Sequence, residues 1–289
     1  MSDVAILGTG RMGSAMARSL ARRGFSLVLH NRTPERAASL GAELEAAVAP
    51  SAAVAVADAP VAISMVADEA AVLALYRGPG GVLEGLAPGT VLLEMSTVPP
   101  HVARSLEAVV LARGSAIVDA PVSGSVTLAE SGTLTVMAGG RAEDLARVRP
   151  VLDGLATTVF HMGPLGSGAT IKLAVNAIIF GLNQSLAESL VLAERAGVER
   201  ARAYEVFAAS AIAAPFTKYK EAAFVDPEGT PTAFSLGLAA KDLDLILELA
   251  GQAGARMAQA ETNLASIRAA VSVVGADADL SAIARALRD

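Results

Sequence analysis

The segment Gly8-Thr9-Gly10-Arg11-Met12-Gly13 constrains this chain more than any other. It follows the apolar run Val4–Leu7 and opens the stretch Arg11–Arg23, where Met12, Met16 and Leu20 share one face at helical spacing. A strand passing into a helix through such a turn needs Gly8 for the tight bend. It needs Gly10 so that the backbone can approach a pyrophosphate, and Gly13 so that helix and strand can pack closely. The N–H groups at the helix start, where Arg11 and Met12 lie, then face the anion.

A second apolar run, Leu27–Leu29, ends in His30-Asn31-Arg32-Thr33. A fold that takes NAD usually places a carboxylate there to hold the ribose hydroxyls. No carboxylate precedes Glu35, and Asn31, Arg32 and Thr33 offer hydrogen-bond donors instead. Arg32 is placed to face a 2′-phosphate, so the expected cofactor is NADP, with NAD as the alternative. The competing account of Arg32 is an exposed arginine at a turn.

Apolar runs at Val61–Met65, Val91–Met95, Ala116–Val118 and Leu134–Met137 continue the alternation, with helical segments Pro34–Leu40, Glu69–Leu75 and His101–Arg113 between them. Continuous apolar strands between helices predict a parallel sheet covered on both faces, and right-handed crossovers make it doubly wound. Beyond Gly163-Pro164-Leu165-Gly166 the pattern is helical almost throughout. About Thr170 to Ala196 reads as one long helix, followed by Arg200–Ala209, Ala239–Gly251 and Met257–Val274. The expected fold is therefore α/β: a doubly wound Rossmann-type domain over residues 1–163, then an all-helical domain over 164–289 that includes the linking helix.

Composition narrows the classes. Hydrophobic residues make up 53% and charged residues 18%, which excludes a disordered chain. The net charge of −6 without a basic tract excludes the footprint of a nucleic-acid binder. Cys is absent, which removes disulfides and thiolate metal sites and fits a reducing cytoplasm. The start MSDVAILGTG lacks the basic region of a signal peptide, and no uninterrupted apolar run reaches the ~20 residues of a membrane span. A metal site is not expected. The apolar content and the long helix predict a homo-oligomer joined through the helical domain.

Three further segments carry chemistry. Asp119-Ala120-Pro121-Val122-Ser123-Gly124 precedes Gly132-Thr133-Leu134 and Gly139-Gly140. A hydroxyl beside backbone N–H groups at a sheet's carboxyl edge suits a substrate carboxylate, which nominates Ser123 and Gly124. Gly166-Ser167-Gly168 leads to Lys172 and then Asn176, which share a helix face with apolar neighbours Leu173, Val175 and Ile179. That setting predicts a partly enclosed amine, where an isolated helix lysine is normally solvated. Lys241-Asp242-Leu243 opens a later helix.

Together these segments resemble the β-hydroxyacid dehydrogenase family, in its order and spacing from residue 8 to about 245. The glycine turn with Ser14-Ala15-Met16-Ala17 is similar to the family's cofactor motif, Asp119–Gly140 to its substrate motif, Gly166–Asn176 to its catalytic motif, and Lys241-Asp242-Leu243 to its second cofactor motif. Two positions depart: Ser125 stands where the family usually has a second Gly, and Val66-Ala67-Asp68 lacks the usual loop Pro. The resemblance implies hydride transfer between the nicotinamide and a small 3-hydroxy acid or its semialdehyde, with Lys172 handling the proton and Asn176 orienting it or the substrate. It places Thr97 on the nicotinamide side, the alternative being a helix cap before Pro99-Pro100. Lys241 is implied to close the site, against a plain surface lysine. Phe234 is either an apolar wall or core. Competing readings are an imine reductase-like enzyme, which Lys172 disfavours, and a non-catalytic NADP sensor, which needs none of Lys172, Asn176 or Ser123.

Overall fold

The computed structural model describes residues 4–288. Contacts divide the chain into two units, Met1–Lys172 and Leu173–Asp289. The first holds one sheet of β1 (Val4–Leu7), β2 (Leu27–His30), β3 (Ala47–Val48), β4 (Val61–Ser64), β5 (Val91–Glu94), β6 (Ala116–Asp119), β7 (Val122–Ser123), β8 (Leu134–Gly139) and β9 (Ala156–Gly163). Their order is β3-β2-β1-β4-β5-β6-β8-β7, with β9 paired to β8. Strands β1 to β6 are parallel. The order reverses between β1 and β4, the switch point at which doubly wound sheets take ligands.

Alternate residues of β1 enter opposite cores. Val4 and Ile6 meet Ala15, Met16 and Leu20 of the helix Arg11–Arg22, while Ala5 and Leu7 meet the cluster holding Val72, Tyr76 and Leu106. Burial on both faces is why these strands read as unbroken apolar runs. The parallel expectation fails at one end, where β8 runs antiparallel to β6 and β7. Between β7 and β8 lie only residues 124–133, including the short helix Val126–Ser131. Such a connection is too short for a parallel crossover, which takes a dozen or more residues.

The long helix spans Ser167–Arg195 and starts three residues before the expected Thr170. Glycines near a helix start read as breakers in sequence, yet here Gly168 lies inside the first turn. By length and composition this helix suffices to cross a membrane, although no unbroken apolar run within it reaches ~20 residues. Its apolar residues Leu173, Phe180, Leu186 and Leu190 instead lie in the core of the second unit, beside Tyr204, Phe224, Leu243 and Ile267. The helix Leu236–Ala253 also starts before the expected Ala239, because Ser235 Oγ accepts from Leu238 N–H and caps it. Gly254, at φ +69°, then turns the chain into the helix Ala258–Val274.

One buried ion pair organises the end of this unit. Lys220 Nζ lies 2.7 Å from Asp279 Oδ1 and is 2% exposed. Asp279 also accepts from the N–H groups of Ala233, Phe234 and Ser281. Removing one partner of a buried pair strands the other charge. Lys220→Met is therefore expected to cost about 3–5 kcal/mol of unfolding free energy, measured by urea denaturation. A loss under about 1 kcal/mol would refute this account.

Candidate active site

The glycine turn is built as its spacing requires. Gly8 has φ +106°, and a Cβ there would collide with the carbonyl oxygen of Met65. A Cβ at Gly13 would run into Gly8 O, whereas Gly10 faces open space with nothing within 4 Å of its Cβ position. The N-cap residue Gly10 makes no side-chain cap bond to the helix Arg11–Arg22. The N–H groups at such a helix start are those that an anion neutralises. Thr9 Oγ1 is buried beside them without a hydrogen-bond partner among the described residues. An open backbone cradle at a helix start fits a dinucleotide pyrophosphate. Arg11 is exposed and Met12 half-buried in the helix's first turn.

The structure gives the three residues after β2 different roles. Asn31 Oδ1 accepts from Thr9 N–H at 3.0 Å, and its Nδ2 donates to Thr33 O at 2.9 Å. Asn31 thus ties the end of β2 to the glycine turn, an acceptor role where a donor was expected. Thr33 precedes the helix Pro34–Leu44 without capping it by its side chain. Arg32 is exposed and makes no hydrogen bond or ion pair among the described residues, so its guanidinium is available to a ligand.

At the carboxyl ends of β4 and β5 lies a polar network that the sequence did not announce. Glu94, 1% exposed, accepts from Ser64 Oγ at 2.6 Å and from Ser96 N–H at 2.9 Å. Ser64 also meets Tyr76 Oη at 2.9 Å, and Ser96 Oγ accepts from Val66 N–H at 2.9 Å. The two loops are thereby linked. Burial raises the Glu94 carboxyl above its ordinary range against the pull of these donors. Thr97 follows on this edge, half-buried, and Pro99 occupies the N-cap position of the helix Pro100–Leu111.

Ser123 is half-buried at the end of β7, and Gly124 is exposed with φ +141°, where a Cβ would strike Leu134 and Leu128. Both departures from the family pattern have local causes. Ser125 Oγ accepts from Leu128 N–H and caps the helix Val126–Ser131, and Asp68 Oδ1 accepts from Ala71 N–H to cap the helix Glu69–Arg77. Each supplies an acceptor to an N–H group of a helix's first turn.

Lys172 is half-buried one turn before Asn176, as its apolar neighbours predict. Asn176 is 5% exposed and its Nδ2 donates to Asp242 Oδ2 at 2.8 Å. Lys241 Nζ lies 2.9 Å from the other oxygen of Asp242, itself 2% exposed. Asp242 therefore joins two nominated residues, a role missed although it adjoins Lys241 in sequence. Lys241 lies in the second turn of its helix rather than at its start. Phe234 stacks on Phe180 with ring centroids 6.1 Å apart.

Two family models match almost end to end: the NAD binding domain of 6-phosphogluconate dehydrogenase over residues 3–163, and the NAD-binding domain of NADP-dependent 3-hydroxyisobutyrate dehydrogenase over residues 166–287. Glyoxylate/succinic semialdehyde reductase 1 of Arabidopsis thaliana is 31% identical, covering 99% of this chain and 98% of its own. The 3-hydroxyisobutyrate dehydrogenase of Pseudomonas aeruginosa is 33% identical over 96% of this chain and 94% of its own. The crystal structure of 3-hydroxyisobutyrate dehydrogenase from Salmonella typhimurium superposes with a TM-score of 0.90 at 29% identity, covering 99% of both chains.

Asp119 gives a pH signature. Burial pushes its carboxyl up to about 6 from 3.8, against the opposing pull of the Gly166 and Ala169 amides and of Arg104. A folded value above the unfolded one means that folding takes up a proton between them. The contribution to stability is then complete below the unfolded value and lost as pH rises through the folded value. The stability difference between wild type and Asp119→Asn should therefore shrink from about pH 4 to about pH 7 in urea denaturation. A constant difference over that range would sink this assignment.

Proposed function

The chain belongs to the β-hydroxyacid dehydrogenase family, and from that premise we propose that it exchanges hydride between NADP(H) and a small 3-hydroxy acid or its semialdehyde, with Lys172 as proton donor and acceptor. The observation that carries this reading is a half-buried lysine in the second turn of a helix whose first turn is bonded to the end of β6, on the sheet edge that also bears the glycine turn. When bound, the nicotinamide supplies or takes the hydride. Lys172 supplies the other half of the reaction. A carbonyl under reduction gathers negative charge on oxygen, and an ammonium within hydrogen-bond reach stabilises that charge and delivers the proton. In the oxidative direction the same amine, in its neutral form, accepts the proton of the hydroxyl.

Ser123 and the Gly124 N–H supply a hydroxyl and an amide for the substrate carboxylate. Thr97 stands on the nicotinamide side. Asp242 holds Asn176 and Lys241 in place, so that neither needs to be ordered when ligand arrives. Gly8, Gly10, Gly13 and the N–H groups at Arg11 and Met12 take the pyrophosphate, and Arg32 takes the 2′-phosphate. Exposed Ile178 and Leu192 on one stripe of the long helix support a homo-oligomer.

Steady-state reduction of glyoxylate, succinic semialdehyde, tartronate semialdehyde and methylmalonate semialdehyde with NADPH and NADH tests the whole reading; turnover of none supports a sensor instead. Lys172→Ala should lower kcat on the best of these by at least ~10²-fold, the usual scale of general acid catalysis, with NADPH binding intact. Lys172→Arg should not restore it, because guanidinium is a poor proton donor. Arg32→Ala should raise the KM for NADPH far more than that for NADH; equal use of both cofactors by the wild type contradicts the NADP assignment. In sedimentation the protein should run larger than its 29.1 kDa monomer at micromolar concentration.

A further inference from the structure

Asp119 closes β6 within the motif expected to grip the substrate, yet its side chain is only 2% exposed. Its Oδ1 accepts from Gly166 N–H at 2.6 Å and its Oδ2 from Ala169 N–H at 2.7 Å. These donors bracket the start of the helix Ser167–Arg195, so a strand residue 47 to 50 positions away acts as its cap. The glycines of the motif make room for this. A Cβ at Gly168 would strike Met137 O and Asp119 O, and one at Gly139 would strike Asp119 Oδ1 and Pro164 O. Arg104 Nε holds Leu165 O at 2.9 Å from the other side. A carboxylate at a helix N-terminus is also favoured by the helix dipole.

Lys172 lies three residues beyond Ala169, on the next turn. Helix first turns leave their N–H groups unpaired and fray unless capped. An amine on the following turn moves with them, and misplacement by ~1 Å can cost about 10²-fold in rate. We propose that Asp119 is a positioning residue for the reaction: it fixes the first turn of this helix and so aims Lys172, and it does not bind the substrate. The inference rests on the reading that Lys172 carries the proton.

Two measurements on the full-length protein test it. In the wild type, the Gly166 and Ala169 amides should be protected from hydrogen exchange by at least ~10²-fold; exchange at the unprotected rate overturns the capping geometry. Next, kcat and the NADPH Kd are compared for Asp119→Asn, Lys172→Ala and the double variant. In D119N one carboxylate oxygen becomes an NH2 facing an amide N–H, a donor against a donor. D119N should lower kcat by about 10- to 100-fold with the NADPH Kd changed less than about 3-fold. In the K172A background the same change should lower kcat by less than about 3-fold, because a group that acts through the lysine has nothing left to aim.

Gly168→Ala displaces the turn with the carboxylate intact and should show the same non-additivity. Equal losses in both backgrounds, or D119N at wild-type kcat, overturn the inference while leaving the lysine reading standing. K172A at wild-type kcat overturns the lysine reading, and this inference with it.

Discussion

One buried carboxylate joins the sheet to the start of the long helix. Asp119 accepts two backbone N–H groups from the start of the helix Ser167–Arg195. Burying a carboxylate is costly unless it is fully hydrogen-bonded, and its raised pKa is the visible part of that cost. Two amide bonds and the field of the helix offset it. The close approach is available only because Gly139 and Gly168 carry no Cβ. Gly139 and Gly168 therefore serve one contact.

The same edge of the sheet holds a row of polar side chains in register, Ser64, Glu94 and Asp119, each ending an otherwise apolar strand. Ser64 and Glu94 bond to each other, to Tyr76 and to Ser96, and so link the loops after β4 and β5. Satisfied buried networks of this kind fix one arrangement, because a partly broken one is expensive. Rigidity of this kind presents groups already ordered to a ligand: an amide cradle gains nothing from electrostatics if it must first be ordered. Asn31 does the same for the glycine turn from the far side of β1, spending its carbonyl oxygen on Thr9 N–H.

Departures from a family pattern are easily taken as signs of altered specificity. Ser125 and Asp68 have a plainer explanation, since each caps the helix that follows it. A serine in the extended N-cap position retains the geometry that a glycine would adopt there and adds an acceptor for an orphan N–H.

The sequence by itself determined the alternation of strand and helix, the glycine turn, and the change to helices after residue 163, because each is a local pattern read at fixed spacing. It placed Lys172 and Asn176 one turn apart, because helical geometry is local too. It missed the antiparallel β8, since strand direction follows from how a short connection packs. It also missed Glu94, Asp119 and Asp242 as organising residues. A carboxylate at the end of an apolar run looks the same in sequence whether it meets water, a hydroxyl or a helix start. Only the tertiary structure brought Asp119 to amides 47 and 50 residues away, and Asp242 to an amide 66 residues away. Those partners are fixed by packing across the fold, and no spacing along the chain encodes them.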